Sequence, residues 1–435
     1  MRTITSRALL ALTLSAAIAS AFAKDAAPAA PASAASQAAP GVSAAFAAPF
    51  NAAQDMLKAG DAVGALAKLK EVAALPNLTP YEQYLVVRVR APAEYSVNDY
   101  TAAAADFDAL LQNDQLPAAD RVAILKASAS ILYTAEKYPQ AAAAIQRYLD
   151  AGGDDQQLKD LLPQVQYLSK DYATAAKGFK AQVDATYAAG KVPTEKTLRL
   201  LATSYSQSDS DAGYLAALER LAVAYPKADY WKELIARVAH TDKFSDRLYV
   251  DNYRLKAQVL GSVADSERLS YAALAAHAGY PEEAKRILDA AFASKPFTGP
   301  DLAEANKLRA EVNKSVASDK SQEALNLSSA RAAKDGNSLF ALGLVQVVDG
   351  NAAAGLELMQ QGMAKGGLRN PDESRLRLGY AQVKAGRDAD ALKTFQSITS
   401  GPNGIVPMAH VWTLYLQSRL QPAAPAPAAA AAASK

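Results

Sequence analysis

Between Asn337 and Ile398 one helix-pair module is written out twice. The first copy reads Leu339-Phe340-Ala341-Leu342-Gly343, then Gly350-Asn351-Ala352, then Gly355 and Met359. The second reads Arg375-Leu376-Arg377-Leu378-Gly379, then Gly386-Arg387-Asp388, then Ala391 and Phe395. Both carry Leu-Gly on a first helix, a Gly-led turn seven residues later, a small residue five beyond it, and a large one four further on. A small residue on each helix lets two antiparallel backbones approach closely. Glycine ends the first helix by entering the left-handed region at little cost. The large side chain one turn after the small one fills the space between modules.

The second half of this pattern recurs upstream. Gly60-Asp61 leads to Ala65 and Leu69, Asp99-Tyr100 to Ala103 and Phe107, Lys137-Tyr138 to Ala141 and Ile145, and Asp171-Tyr172 to Ala175 and Phe179. A stretched copy has Tyr214, Ala217 and Leu221 after Ser208-Asp209-Ser210-Asp211. Gly279-Tyr280 with Ala284 and Leu288 follows, then a weak copy at Ala324 and Ser328. The small residues step by 31 to 42 positions, with one step of 67 that is two periods; the missing copy is placed at Asp229–Val263, with Tyr230-Trp231 on its first helix. Ala129 and Ala202 take the place of the Leu-Gly glycine in earlier copies.

The period and the Leu-Gly, Ala and aromatic positions resemble the tetratricopeptide repeat (TPR) family. The resemblance covers about Pro49 to Leu420. It implies an all-α fold: a right-handed α-solenoid of about ten helix-turn-helix repeats. Leucine-rich repeats are shorter and carry a strand signal, and ankyrin repeats need a Thr-Pro-Leu-His-like turn; neither signal occurs here. Val406–Leu420, with Val411, Trp412, Leu414, Tyr415 and Leu416, is expected to be the terminal capping helix that covers the last repeat.

Residues 1–23 read as a cleaved secretory signal: Arg2 and Arg7, an apolar Ala8–Ala19, then Ala21-Phe22-Ala23. The apolar run is shorter than the roughly 20 residues of a membrane-spanning helix. The chain has no cysteine, hence neither a disulfide framework nor a lipid-bearing cysteine after the signal. The expected location is the periplasm of a bacterium, with no integral membrane segment after cleavage. Without Arg2 and Arg7 the chain has 44 basic and 44 acidic residues, a balance that offers nucleic acid nothing. Residues 24–48 are an Ala/Pro-rich leader and 421–435 a matching tail, both too poor in large apolar groups to order themselves.

Two Pro/Gly joints interrupt the array, at Thr186–Thr197 and Ser294–Asp301. The second reads as a long inter-repeat loop, with a sub-boundary near 294–301 as the alternative and Asp301 as a helix cap. Asp154-Asp155 after Gly152-Gly153 reads as another cap.

No catalytic constellation emerges. His240, His277 and His410 lie far apart without a second ligand at helical zinc spacing, and no strand precedes a glycine-rich loop. The expectation is a non-enzymatic scaffold, with no cofactor and no metal, that binds a protein or peptide partner of the cell envelope in a concave groove. A role in envelope transport or assembly is suggested by a slight resemblance to TPR accessory proteins of TonB-type systems, carried by Tyr225-Pro226-Lys227-Ala228-Asp229-Tyr230-Trp231 and Gly279-Tyr280-Pro281-Glu282-Glu283-Ala284. The alternative is the helical superstructure of a peptidoglycan- or polysaccharide-processing envelope enzyme. The family's groove positions fall on Phe340, Leu344, Val347, Leu376, Tyr380 and Val383, near Arg377 and Lys384. Helices apolar all round are also what an interior requires, and burial under Val406–Leu420 is the other reading of these six residues.

Overall fold

A computed structural model describes residues 41–294, 297–401 and 404–420. The signal segment, most of the leader and the tail lie outside them. Among the described residues there are twenty α-helices, two short 3-10 turns and no strand. The chain is an all-α array of helix pairs, as the repeat pattern implies.

The array forms two compact units. Unit 1 runs to Gly190 and includes Leu200–Asp211; unit 2 comprises Lys191–Arg199 and everything from Ala212. The division falls at the first Pro/Gly joint, and the second joint lies inside unit 2.

Unit 1 holds α1 (Ala44–Lys58), α2 (Ala62–Ala73), α3 (Pro80–Ser96), α4 (Tyr100–Gln112), α5 (Ala118–Thr134), α6 (Tyr138–Asp150), α7 (Gln156–Leu168) and α8 (Tyr172–Ala188). Each helix packs on the next. The first described helix starts at Ala44 rather than near Pro49, and in it Phe46 is wholly buried and stacks on Phe50 at 4.8 Å. That helix is fastened by Glu82 of α3, which is the N3 residue of a capping box with Thr79 and also accepts from the Ser43 backbone N at 2.8 Å. First helices are also tied to one another: Arg88 of α3 pairs with Asp120 of α5 (3.0 Å), and Lys126 of α5 with Asp155, the N-cap of α7 (2.5 Å).

One turn serves both units. In the α1–α2, α3–α4, α5–α6 and α7–α8 connections a single residue has positive φ: Gly60, Asn98, Glu136 and Lys170. In each case the following backbone N–H reaches back to the first helix's last turn, as from Asp99 N to Glu94 O and from Asp171 N to Gln166 O, both 2.9 Å. This is the left-handed helix stop that glycine favours. Asp61, Asp99 and Asp171 then cap the second helix by accepting from the N–H three residues on. Across three of these turns, tyrosines five residues apart meet: Tyr95 and Tyr100, Tyr133 and Tyr138, Tyr167 and Tyr172.

The helix α9 (Glu195–Gln207) runs across the division between the units. Unit 2 continues with α10 (Asp211–Ala224), α11 (Ala228–Ala239), α12 (Tyr249–Leu260), α13 (Arg268–His277), α14 (Pro281–Ser294), α15 (Gly299–Ala332), α16 (Asn337–Val348), α17 (Ala352–Lys365), α18 (Pro371–Lys384), α19 (Asp388–Gln396) and α20 (Ile405–Leu420). The degenerate copy expected at Asp229–Val263 is α11 and α12, joined through a 3-10 turn at Asp246–Leu248, and Trp231 is in the core.

Two expectations about these helices need correction. The weak copy at Ala324 and Ser328 does not exist as a helix pair. Both residues lie exposed on α15, one helix of 34 residues, because nothing between Asp301 and Ala332 is a glycine or proline that could break it. Asp301 is not the cap of that helix; Thr298 holds the N-cap position, and Asp301 sits in the first turn, where the helix dipole favours a carboxylate. The terminal helix α20 does more than cover the last repeat. It packs on α18 and α19 and also on α11 and α12, so unit 2 closes upon itself.

The glycines at the small-residue positions set how close the helices come. A Cβ on Gly343 would stand 2.6 Å from Gly355 O, and one on Gly355 would stand 2.5 Å from Gly343 O. The backbones of α16 and α17 therefore touch. At the same place in other pairs Ala65, Ala103, Ala141, Ala175, Ala284 and Ala391 are fully buried. Gly343→Ala must push backbone apart, so it should destabilise unit 2 by about 1–3 kcal/mol in urea unfolding. Lys170→Gly should do the reverse in unit 1. It relieves a left-handed lysine, at the cost of glycine's extra chain entropy, for a net gain of roughly 0.5–1 kcal/mol. An unchanged unfolding midpoint in either variant would contradict this account of the turn and the contact.

Candidate functional site

The six expected groove residues fall in two apolar clusters of unit 2. Phe340, Leu344 and Val347 are buried in a cluster with Tyr280, Leu356, Met359 and Ala381. Leu376 and Val383 are buried in another, with Trp231, Leu255, Phe395 and Trp412. Tyr380 lies between the two, 6.0 Å from Trp412. Five of these side chains are buried and Tyr380 is half-buried, which agrees with an interior rather than an open groove, and Arg377 is committed elsewhere. Lys384 is exposed.

Opposite these residues is α12. It brings a row of charges into the interior of unit 2 and builds the most developed polar site of the molecule. Arg254 is 2 % exposed. Its Nε and Nη2 donate to Glu283 Oε1 (3.1 Å) and Oε2 (2.6 Å), and its Nη1 to Asp251 Oδ1 (2.9 Å). Tyr271 OH donates to Glu283 Oε1 at 2.8 Å. The other oxygen of Asp251 accepts from Arg377 Nε at 3.0 Å. Arg377 stands 3.5 Å from Glu373 Oε2, which accepts from Arg247 Nη2 at 2.8 Å. The ring of Tyr280 lies 4.2 Å from the Arg254 guanidinium and that of Tyr380 5.7 Å.

Read in order, Glu283, Arg254, Asp251, Arg377, Glu373 and Arg247 form a chain of alternating charge with three positive and three negative groups. It runs from α14 through α12 to α18 and returns to the 3-10 turn before α12. Helical spacing explains the alignment: Arg247, Asp251 and Arg254 lie on one face, as do Glu373 and Arg377. Burial works against the charge on Arg254, but Glu283 and Asp251 outweigh it and hold the guanidinium protonated. Asp251 does the same for Arg377. Burial pushes the phenols of Tyr271 and Tyr380 well above their ordinary range, so both stay neutral.

The carboxylates of this chain have their guanidinium partners, and the arrangement holds helices in register. Among the described residues no three His, Asp or Glu side chains are grouped so as to hold a metal ion, and no helix is long and apolar enough to cross a membrane. Of the histidines, His410 bonds Glu219 Oε1 through Nε2 at 2.9 Å, which raises its pKa. Asp155 caps α7 as expected.

Sequence reasoning missed this site. Glu373 and Arg377, four apart, look like any surface pair on a helix. Only the return of the chain through α20 brings α12 against α18.

No protein-family model matches the chain, and no curated protein matches it in sequence. Solved structures similar to it include TPR proteins. One, from Parabacteroides merdae, is 10% identical over 76% of this chain and 99% of its own, with a TM-score of 0.25. Another, the C-terminal part of a TPR repeat-containing protein from Cytophaga hutchinsonii, is 16% identical over 59% of this chain and 98% of its own, with a TM-score of 0.24. These are likenesses to helical repeats alone.

Removing one member of the buried chain leaves its neighbours charged and unpaired. Arg254→Met should therefore destabilise unit 2 by about 3–5 kcal/mol. Arg254→Met combined with Glu283→Leu and Asp251→Leu should recover much of that loss, measured as the urea midpoint. A single variant as stable as the wild type would show that the chain of charges is not desolvated in solution.

Proposed function

We propose that this protein is a non-catalytic protein–protein interaction scaffold of the bacterial periplasm, working in envelope transport or assembly, and that unit 1 carries its partner surface. The observation that supports this reading is the use to which the ordered chain is put. Helix pairs, together with α9, α10, α15 and α20, account for the described residues from Ala44 to Leu420. In unit 2 the interior of the array is filled by α12 and α20. In unit 1 the helices pack in sequence, and the first helices α3, α5 and α7 are joined side by side through Arg88–Asp120 and Lys126–Asp155. Such a row of first helices suits an extended peptide or a partner helix. The location rests on the signal pattern of residues 1–23 and the absence of cysteine from the sequence.

Two measurements test the proposal. Protein released by osmotic shock from cells making the full chain should begin at Lys24 by mass spectrometry; an intact Met1 refutes the export reading. A photoreactive residue placed at Arg88 or Lys126 should crosslink an envelope protein in intact cells, and one at Val63, 71% exposed on the second helix α2, should not. Crosslinks from Val63 alone would move the partner surface off the first helices. Release of muropeptides when the purified protein is incubated with peptidoglycan would replace the scaffold reading with the enzymatic one.

A further inference from the structure

We propose that Glu94, Arg90 and Asp106 form a proton-operated latch on the α3–α4 hairpin of unit 1, closed while Glu94 carries a proton and loosened when it is lost. The geometry is that of one guanidinium shared by two carboxylates. Arg90 donates from Nε to Asp106 Oδ2 (2.6 Å) and from Nη2 to Asp106 Oδ1 (2.7 Å), a bidentate pair between the two helices. Glu94, one turn further along α3, reaches the same Nε only at 3.5 Å. That N–H is already given to Asp106. The Glu94 side chain is 12% exposed, and its Oε2 is buried with no hydrogen-bond partner.

With both acids ionised, the cluster carries one positive and two negative charges. An ionised Glu94 then has a buried oxygen without a donor, a costly state. With a proton, Glu94 becomes a donor to Asp106, and the cluster is neutral. The helices α1 and α2 also pack on α3, and the charges that act on Glu94 come from Arg90 on its own helix, Asp106 on α4 and Asp99 at the turn. Asp99 is occupied in capping α4 at Ala102 N (3.1 Å). Burial first, and then the charge of Asp106, push Glu94 up to about 7, with Arg90 opposing.

The sign follows from linkage. Between the ordinary glutamate value of 4.5 and about 7 the folded hairpin holds a proton that the unfolded chain has lost. The stability this contributes is fully present below the ordinary value and is lost as pH rises through about 7. Glu82 on the same helix works in the opposite sense and in another range. Hydrogen bonds from the backbones of Thr79 and Ser43 hold it at about 2, so it stays ionised near neutrality. His410 in unit 2 shares the sign of Glu94, so the latch must be read locally rather than from a melting temperature.

The test is hydrogen–deuterium exchange of the mature full-length protein at pH 5.5 and 8.5, with rates corrected for intrinsic exchange. Amides of residues 94–106 should lose about tenfold or more of their protection at the higher pH. In Glu94→Gln, which is neutral throughout, the protection should be independent of pH. A carbon-13 titration of the Glu94 carboxyl in the wild-type protein should show a midpoint near 7. A midpoint below 5, or equal pH dependence in wild type and variant, overturns the latch.

Discussion

The contact on which this fold depends is the touching of two helix backbones at a small residue. Where Gly343 faces Gly355, carbonyl oxygens of one helix stand where a Cβ of the other would be. Where alanine takes that place, its methyl group is wholly buried. Helices that approach so closely can be joined by a very short connection. That connection is possible only if one residue turns left-handed and the next starts a new helix. Spacing, turn and contact are thus one constraint. It is obeyed even where the left-handed residue is Glu136 or Lys170, for which the conformation is unfavourable. Packing at the small residue outweighs a local penalty of one or two kcal/mol.

In unit 2 the same hairpins meet a second constraint, because the chain returns. Trp412 on α20 stacks on Phe395 of α19 with centroids 5.3 Å apart, and Tyr415 on the same helix meets Trp231 of α11 edge-on. This is a large apolar contact, and apolar contacts are tolerant of sliding. The alternating charges from Glu283 to Arg247 are not. Desolvating five of these charges, with Arg247 left exposed at the end of the row, gives little net stability. A shift of α12 by one helical turn would oppose like charges, so the chain fixes register where the aromatic cluster supplies the driving force.

The sequence displays the first constraint openly and conceals the second. Helix pairs, their period, the left-handed turns at Gly60, Gly279, Gly350 and Gly386, and the burial of Trp412 can all be read from local spacing. Breakers are local too, and where spacing alone suggests a copy at Ala324 no glycine or proline is present to end α15. The interior was harder. Phe340, Leu344, Val347, Leu376 and Val383 are apolar on helices apolar all round, a pattern that an open groove and a buried core share. For Leu376 and Val383 what decides is the packing of α20 on α11 and α12, helices more than 140 residues earlier in the chain; for Phe340, Leu344 and Val347 it is contact with Tyr280, Leu356, Met359 and Ala381. Nothing in the spacing of Arg254 or Glu283 marks them as partners.

The two largely buried polar clusters, each with one more exposed arginine, differ in charge count, and that difference separates a lock from a latch. In unit 2 three guanidiniums answer three carboxylates, and Asp251 and Glu283 each use both oxygens. Every carboxylate there has a guanidinium, so no charge is left over. At α3–α4 one guanidinium answers two carboxylates, and Asp106 takes its best donors. Glu94 is left with a buried oxygen and no donor, and a proton is the cheapest remedy for that deficit. A buried network with one acid too many is therefore responsive to pH for the same reason that a balanced one is rigid.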